Sequence, residues 1–346
     1  MIDWVTVEIP FLHLPIDSGF VCKVLPGGEL DWQSPCRMSV EGSYSSSITI
    51  KSIGGDGTGR ATHLRLSGNP SKFLQGHNVF GSDHILPLVY DTFIRVCSSL
   101  NFVPRLSELR SVKRGDYDVI NIDINQSYEL PTRSDCIAFI RALEFKAKTR
   151  HGRPSMKGGT LYFGAGGTRW KVKIYCKGEE LDSRKRGHKL ARGLDTTPIK
   201  QWADNKVRIE LTLLSKELKE KGIGKARDFT VSLINELYSQ YLRRIEMSEQ
   251  IALSSQAQND LPTNLQSTYL HWVNGVDLRG VLSKATFYRQ RRLLMDLKGI
   301  DISLTKEIAD RTNVVPLVRI LEAKPAQIPS WAFDLGLVHP SARAAS

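Results

Sequence analysis

Three stretches of the chain alternate apolar and polar residues with a period of two. Ile120, Ile122 and Ile124 alternate with Asn121, Asp123 and Asn125. Val172 and Ile174 alternate with Lys171, Lys173, Tyr175 and Lys177, and Val207, Ile209, Leu211 and Leu213 with Arg208, Glu210 and Thr212. That period predicts three β-strands, each with an apolar face for packing against helices and a polar face with a reactive residue near its middle. Residues 1 to about 70 are also strand-rich. Ser47 to Ile53 and His63 to Leu66 alternate in the same way, and turn signals fall at Pro26-Gly27-Gly28 and Gly54-Gly55-Asp56-Gly57. Gly164-Ala165-Gly166-Gly167 separates a short apolar run from the Tyr175 strand and predicts a β-hairpin.

Helical spacing appears elsewhere. Leu86, Val89, Tyr90, Phe93 and Val96 predict a helix from about Ile85 to Leu100, and a second is expected over Arg133 to Lys146. Between Asn69 and Gly81 a turn that is neither helix nor strand presents His77. From Arg227 onward the pattern is helical: Val231, Ile234, Leu237, Tyr238 and Tyr241 predict a helix from Phe229 to about Ala257, with both tyrosines as core. Asn259 to Gln266 is expected to be a linker. A turn at Leu278 to Leu282 and a basic helix capped near Ser283 are compatible with a helix-turn-helix reader of duplex DNA. The fold class that follows is α+β: an antiparallel-sheet domain over residues 1–225 and a helical C-terminal region over 226–346.

Composition changes this picture at one place. The net charge is +12, and the stretch from Arg141 to Arg208 alone holds 18 Lys and Arg against 6 Asp and Glu. The whole positive excess therefore surrounds the hairpin, which points to a polyanionic substrate. Arg169, Lys171, Arg184, Lys185, Arg186 and Arg208 are the candidate DNA contacts there, with Arg289, Arg291 and Arg292 on the C-terminal basic helix. The five cysteines are scattered, without a Cys-x-x-Cys pair, which favours a reducing cytoplasm over a structural zinc site. Neither an export signal nor a long apolar run is present, so no membrane partner is expected.

The chemistry suggested is nucleophilic. Alternation places the Tyr175 phenol between Lys173 and Lys177, whose charges would favour phenolate and attract a phosphate. Taken alone, this stretch reads first as a solvated strand face with an ordinary exposed tyrosine. If the three strands are neighbours, Asp123, Tyr175 and Glu210 converge. With His77 the two carboxylates would make an oxygen/nitrogen site for Mg²⁺ or Mn²⁺.

Several strings, spread in order over nearly the full length, resemble one family. They are Met1-Ile2-Asp3 with Ile9-Pro10-Phe11, Leu74-Gln75-Gly76-His77-Asn78-Val79-Phe80-Gly81, and Ile122-Asp123. Tyr175 with Lys177 and Glu180-Leu181 follows, then Val207-Arg208-Ile209-Glu210 with Leu218-Lys219, and finally Asn313-Val314-Val315-Pro316-Leu317-Val318-Arg319. The chain resembles the filamentous-phage replication initiators, or gene II proteins, of rolling-circle replication. The resemblance implies a sheet domain like that of rolling-circle (HUH-type) initiators, a host-cytoplasmic site of action, and nicking and rejoining of one strand at a double-stranded origin. It puts Tyr175 where the family's nucleophile is expected, and it implies single-stranded DNA, host helicase and host DNA polymerase as partners. One departure matters: many rolling-circle nucleases carry His-hydrophobic-His, and no His-x-His occurs here. Two other readings use the same basic surface, a non-catalytic origin-binding protein that recruits host factors and a replication repressor.

Overall fold

The computed structural model describes residues 1–149, 154–183, 190–247, 261–298, 300, 302–303 and 324–342. Arg184, Lys185, Arg186 and the Asn313–Arg319 string lie outside the described residues. The chain runs β1 (Ile2–His13), β2 (Phe20–Val24), β3 (Leu30–Pro35), β4 (Met38–Glu41), β5 (Ser47–Ile53), β6 (Ala61–Gly68), α1 (Pro70–Gln75), α2 (Ile85–Ser99) and α3 (Leu106–Arg114). It continues through β7 (Asp118–Glu129), α4 (Arg133–Lys146), β8 (Ala147–Lys148), β9 (Ser155–Lys157), β10 (Thr160–Phe163), β11 (Trp170–Cys176) and α5 (Lys177–Asp182). Next come α6 (Ile199–Ala203), β12 (Lys206–Leu213), α7 (Ser215–Glu220), α8 (Val231–Leu242) and β13 (Glu246–Met247). Helices Thr263–Val273, Leu278–Val281, Lys284–Lys298 and Ser330–Asp334 follow.

Nine strands form one sheet in the order β4-β5-β6-β1-β7-β12-β11-β10-β9, each neighbouring pair antiparallel. Val5, Val7, Ile9, Ile122, Ile124, Val172, Ile174, Ile209 and Leu211 form its apolar face and pack with α2, α4 and α8 in the main core. The three alternating strands are consecutive neighbours, β7-β12-β11, so their polar residues share one surface.

Two β-bulges adjust which residues reach that surface. Trp4 pairs with Asp123 but Ile2 with Ile124, so Asp3 is an extra residue, and the strand's apolar set moves from Ile2 to Val5, Val7 and Ile9. On β7, Thr6 pairs with Asn121 and Val7 with Val119, leaving Ile120 as the extra residue. Val119 takes the core position expected of Ile120, which is only half-buried.

Other sequence expectations need correction. Residues 70–75 are helical: Asn69 caps α1 by accepting from the Lys72 N–H at 2.7 Å, Pro70 occupies its first turn, and Gly76 ends it at φ 88°. The supposed linker contains the start of helix Thr263–Val273. A boundary at 225/226 would cut the main core, because Ile234, Leu237, Tyr238, Tyr241 and Leu242 of α8 are buried in it. Ala332, Leu337 and Val338 also return to pack with Val79, Phe80, Leu181 and Ile199. Helices Thr263–Val273, Leu278–Val281 and Lys284–Lys298 have a small core of their own around Leu265, Tyr269, Trp272 and Phe287. Among the described residues no helix is long and apolar enough to cross a membrane.

Candidate active site

Cross-strand pairing lays out the polar face as rows. Ser127, Arg208 and Tyr175 form one; Asn125, Glu210 and Lys173 the next; Asp123, Thr212 and Lys171 the third, which continues to Trp4 on β1. The expected convergence of Tyr175, Asp123 and Glu210 is thus present. The Tyr175 hydroxyl donates to Glu210 Oε2 at 3.4 Å, while Glu210 Oε1 accepts from the Lys173 ammonium. Lys173 Nζ also lies 3.8 Å from Asp123 Oδ2.

This end of the face is roofed. All eight residues of β12 are buried, and Tyr175 is only 7% exposed. Arg208, expected to touch DNA, is instead fully buried. Its guanidinium donates to Asn78 O at 2.6 Å, Val79 O at 2.7 Å and Ser127 Oγ at 3.1 Å. It pins the loop after α1 onto the sheet and is not available to a phosphate.

Lys177 does not continue β11 but begins α5. The chain bends at Gly178, where a Cβ would lie 2.6 Å from Asp204 O, so only glycine fits. The Lys177 ammonium is buried, bonded to Glu180 and, at 3.0 Å, to Asn78 Oδ1, and stands 5.9 Å from the Tyr175 ring centre. Burial lowers its pKa despite Glu180. The lysines do not turn Tyr175 into a phenolate. Burial, then Glu180 and Glu210, hold the phenol well above its usual range. Burial also opposes the charge on Lys173, but Glu210 and Asp123 outweigh it and keep the ammonium charged.

Asp123 and Glu210 match in kind the hard oxygen donors that Mg²⁺ or Mn²⁺ takes. Burial first, and Glu210 second, raise the Asp123 pKa well above the ordinary carboxylate value, although the Lys173 ammonium pulls it down. His77 does not fit such a role. Its Nδ1 accepts from the Val79 N–H at 3.3 Å and its Nε2 donates to Leu337 O at 2.8 Å, so both ring nitrogens are engaged. Burial lowers its pKa to about 4 and keeps it neutral. Among the described residues no group of three or more His, Cys, Asp or Glu side chains is arranged to hold a metal.

Sequence reasoning passed over three residues here. Asp3, the bulge residue, accepts from Asn69 Nδ2 at 2.8 Å and Asn78 Nδ2 at 3.1 Å; burial and Glu210 raise its pKa. The odd step from Ile2 to Val5, ahead of the even step to Val7, is the available signal of a bulge. Asn125 is fully buried with neither amide atom hydrogen-bonded. Glu180 holds Lys177 beside the tyrosine. Of the other candidate DNA contacts, Arg169 pairs with Glu220 and Glu217, Lys171 is half-buried, and Arg289 and Arg292 are exposed on helix Lys284–Lys298 with Arg291 half-buried.

Residues 1–232 match the family model for the N-terminal part of the replication-associated protein of phage gene II, and residues 253–338 match the model for its C-terminal part. The chain is 43% identical over 330 residues to the replication-associated gene II protein of Enterobacteria phage I2-2, covering 95% of this chain and 96% of that one. A solved rolling-circle replication initiator protein from Geobacillus stearothermophilus aligns with 80% of this chain and 96% of its own at 13% identity and a TM-score of 0.32. The two family matches and the full-length relative decide the question: the chain belongs to the gene II family of replication-associated proteins, the replication initiators of filamentous phages.

Proposed function

We propose that this phage replication initiator nicks one strand of its double-stranded origin with the Tyr175 hydroxyl as nucleophile and Glu210 as the base that receives its proton. The observation that carries this reading is the Tyr175–Glu210–Lys173 chain on the polar face, a hydroxyl donating to a carboxylate that an ammonium holds in place. A phenol kept protonated by burial cannot attack unaided, so proton transfer accompanies attack. The phenolic oxygen bonds to phosphorus, the P–O3′ bond breaks, and the departing 3′-oxygen takes a proton from solvent while Glu210 releases to solvent the one it received. The products are a free 3′-hydroxyl, a primer for a host polymerase, and a 5′-phosphotyrosine. That linkage conserves the bond energy, and attack on it by a 3′-hydroxyl rejoins the displaced strand. Lys177, held beside the ring by Glu180 and Asn78, places positive charge near the phosphate. Asp123 and Glu210 would hold a Mg²⁺ or Mn²⁺, which supplies further positive charge to the phosphate when bound. Host helicase acts on the nicked origin in this scheme.

Tyr175→Phe keeps the ring and loses the oxygen. We expect no nicking of supercoiled origin DNA and no covalent DNA–protein adduct, with origin binding unchanged. Undiminished nicking by this variant would remove Tyr175 from the role.

A further inference from the structure

Beyond the roofed end, the polar face of the sheet is open. β1 contributes Trp4, Thr6 and Glu8, β6 contributes Ser67 and Arg65, and β5 contributes Thr49 and Lys51, paired row by row. Trp4 is 42% exposed although it sits in the middle of the sheet, directly opposite Asp123. Beside it lies a groove of about 320 Å³ lined by Trp4, Thr6, Arg37, Lys51, Arg65 and Ser67 among others. The surface between the cations is short and hydroxylated, with Thr6 Oγ1 2.7 Å from Ser67 Oγ. Of the carboxylates on this half, Glu8 is occupied by Arg65, and Asp118, opposite it on β7, pairs with Lys225 at 2.7 Å.

A solvent-facing indole on a sheet would be costly decoration if nothing stacked on it. An apolar protein partner would call for more apolar surface than hydroxyls and cations provide. Stacking on an aromatic ring with phosphates on nearby cations is how single-stranded nucleic acid is held without base-pair readout. A duplex, whose bases stack on one another, has no exposed base face to offer.

We propose that single-stranded DNA flanking the nick lies along this open half of the face, with one base stacked on Trp4 and phosphates on Lys51, Arg37 and, toward the tyrosine, Lys171. Continuity fixes the direction, since Trp4, Asp123, Thr212 and Lys171 form one cross-strand row. The assignment rests on the proposed nicking site, because that site makes the neighbouring strip the path of the cleaved strand.

The test uses the full chain carrying Tyr175→Phe, so that binding is read without chemistry. A fluorescent single-stranded 25-mer carrying the nick sequence and a duplex of the same sequence are titrated, and anisotropy is followed at several salt concentrations. Adding Trp4→Ala should weaken single-strand binding by about 5- to 150-fold, the range for loss of one base–aromatic stack. The salt slope should stay the same and the duplex affinity should barely change. Trp4→Phe should recover much of the loss. Lys51→Ala should lower the single-strand salt slope by about 0.7. Three results overturn the proposal: parental single-strand affinity in Trp4→Ala; equal losses for single strand and duplex; or a parent dimer that Trp4→Ala converts to monomer, which would make this face an interface between copies. If Trp4→Ala fails to fold, the Lys51→Ala slope and a Trp4→His variant decide, parental values in both overturning it. Nicking by Tyr175→Phe would refute the nucleophile and leave these binding results standing.

Discussion

Asp123 lies where both burial and Glu210 oppose its ionisation. A carboxyl whose folded pKa is raised contributes stability at low pH that is lost as pH rises through that pKa. At neutral pH the residue therefore works against the fold, and Asp123→Asn should melt at or above the parental temperature while nicking falls by roughly 10²-fold. A large drop in melting temperature would make Asp123 a structural residue. His77 titrates with the opposite sign. Its folded pKa of about 4 lies below the free value of 6.5, so the unfolded chain binds more protons between those limits. The stability this gives is present above pH 6.5 and is lost as pH falls toward 4, by up to about 3 kcal/mol. His77→Gln should flatten that part of the melting-temperature profile relative to the parent. An unchanged difference between pH 7 and pH 4.5 would show that the imidazole titrates alike in the folded and unfolded chain.

The elements that place these residues were unequally legible. The β7, β11 and β12 strands and the α2 and α4 helices follow from period-two and helical spacing, because each buries one face against the same core. Tyr175's face was legible too, but its burial was not: the roof comes from Asn78, Val79 and α5, whose approach depends on Arg208 and the bend at Gly178. Bulges at Asp3 and Ile120 each shift one residue between faces, and simple alternation does not announce them. His77 was misjudged because a histidine in a loop looks available, whereas its second partner, Leu337, is 260 residues away. The α1 helix did carry signals, Asn69 before Pro70 and Gly76 after, in a run too short to show an apolar stripe. That cap has a second duty, since the Asn69 amide also holds Asp3. Asn69→Ala should therefore cost more than the usual cap loss of about 1 kcal/mol. Urea unfolding would measure it, and an effect within a few tenths of a kcal/mol would mean neither bond contributes.

At the scale of the whole chain, the question is which segments make up the nicking unit. A fragment ending at Ile223 lacks α8, and with it five residues buried in the main core. At about 1.5–3 kcal/mol for each large apolar side chain, the loss rivals the 5–15 kcal/mol that stabilises a whole domain, so this fragment should not fold. A fragment ending at Met247 keeps α8. It lacks the returning segment 324–342, whose Ala332, Leu337 and Val338 pack on Val79, Phe80 and Ile199, whose Trp331 meets Phe80, and whose Ala326 N–H reaches Ser127 O at 2.7 Å. This fragment should fold with a lowered melting temperature. A synthetic peptide of residues 324–342 added in trans should raise that temperature progressively with concentration, because it binds only the folded form. The fragment should still cleave a single-stranded oligonucleotide carrying the nick site, since every residue of the proposed chemistry lies before 211. It should lose preference for origin over random duplex, because helix Lys284–Lys298 with Arg289 and Arg292 is absent and base-edge contacts are what specify. If the peptide has no effect on melting, residues 324–342 do not dock independently. If the fragment discriminates origin duplex as the whole chain does, the basic helix is not the reader, and the sheet unit selects the origin itself.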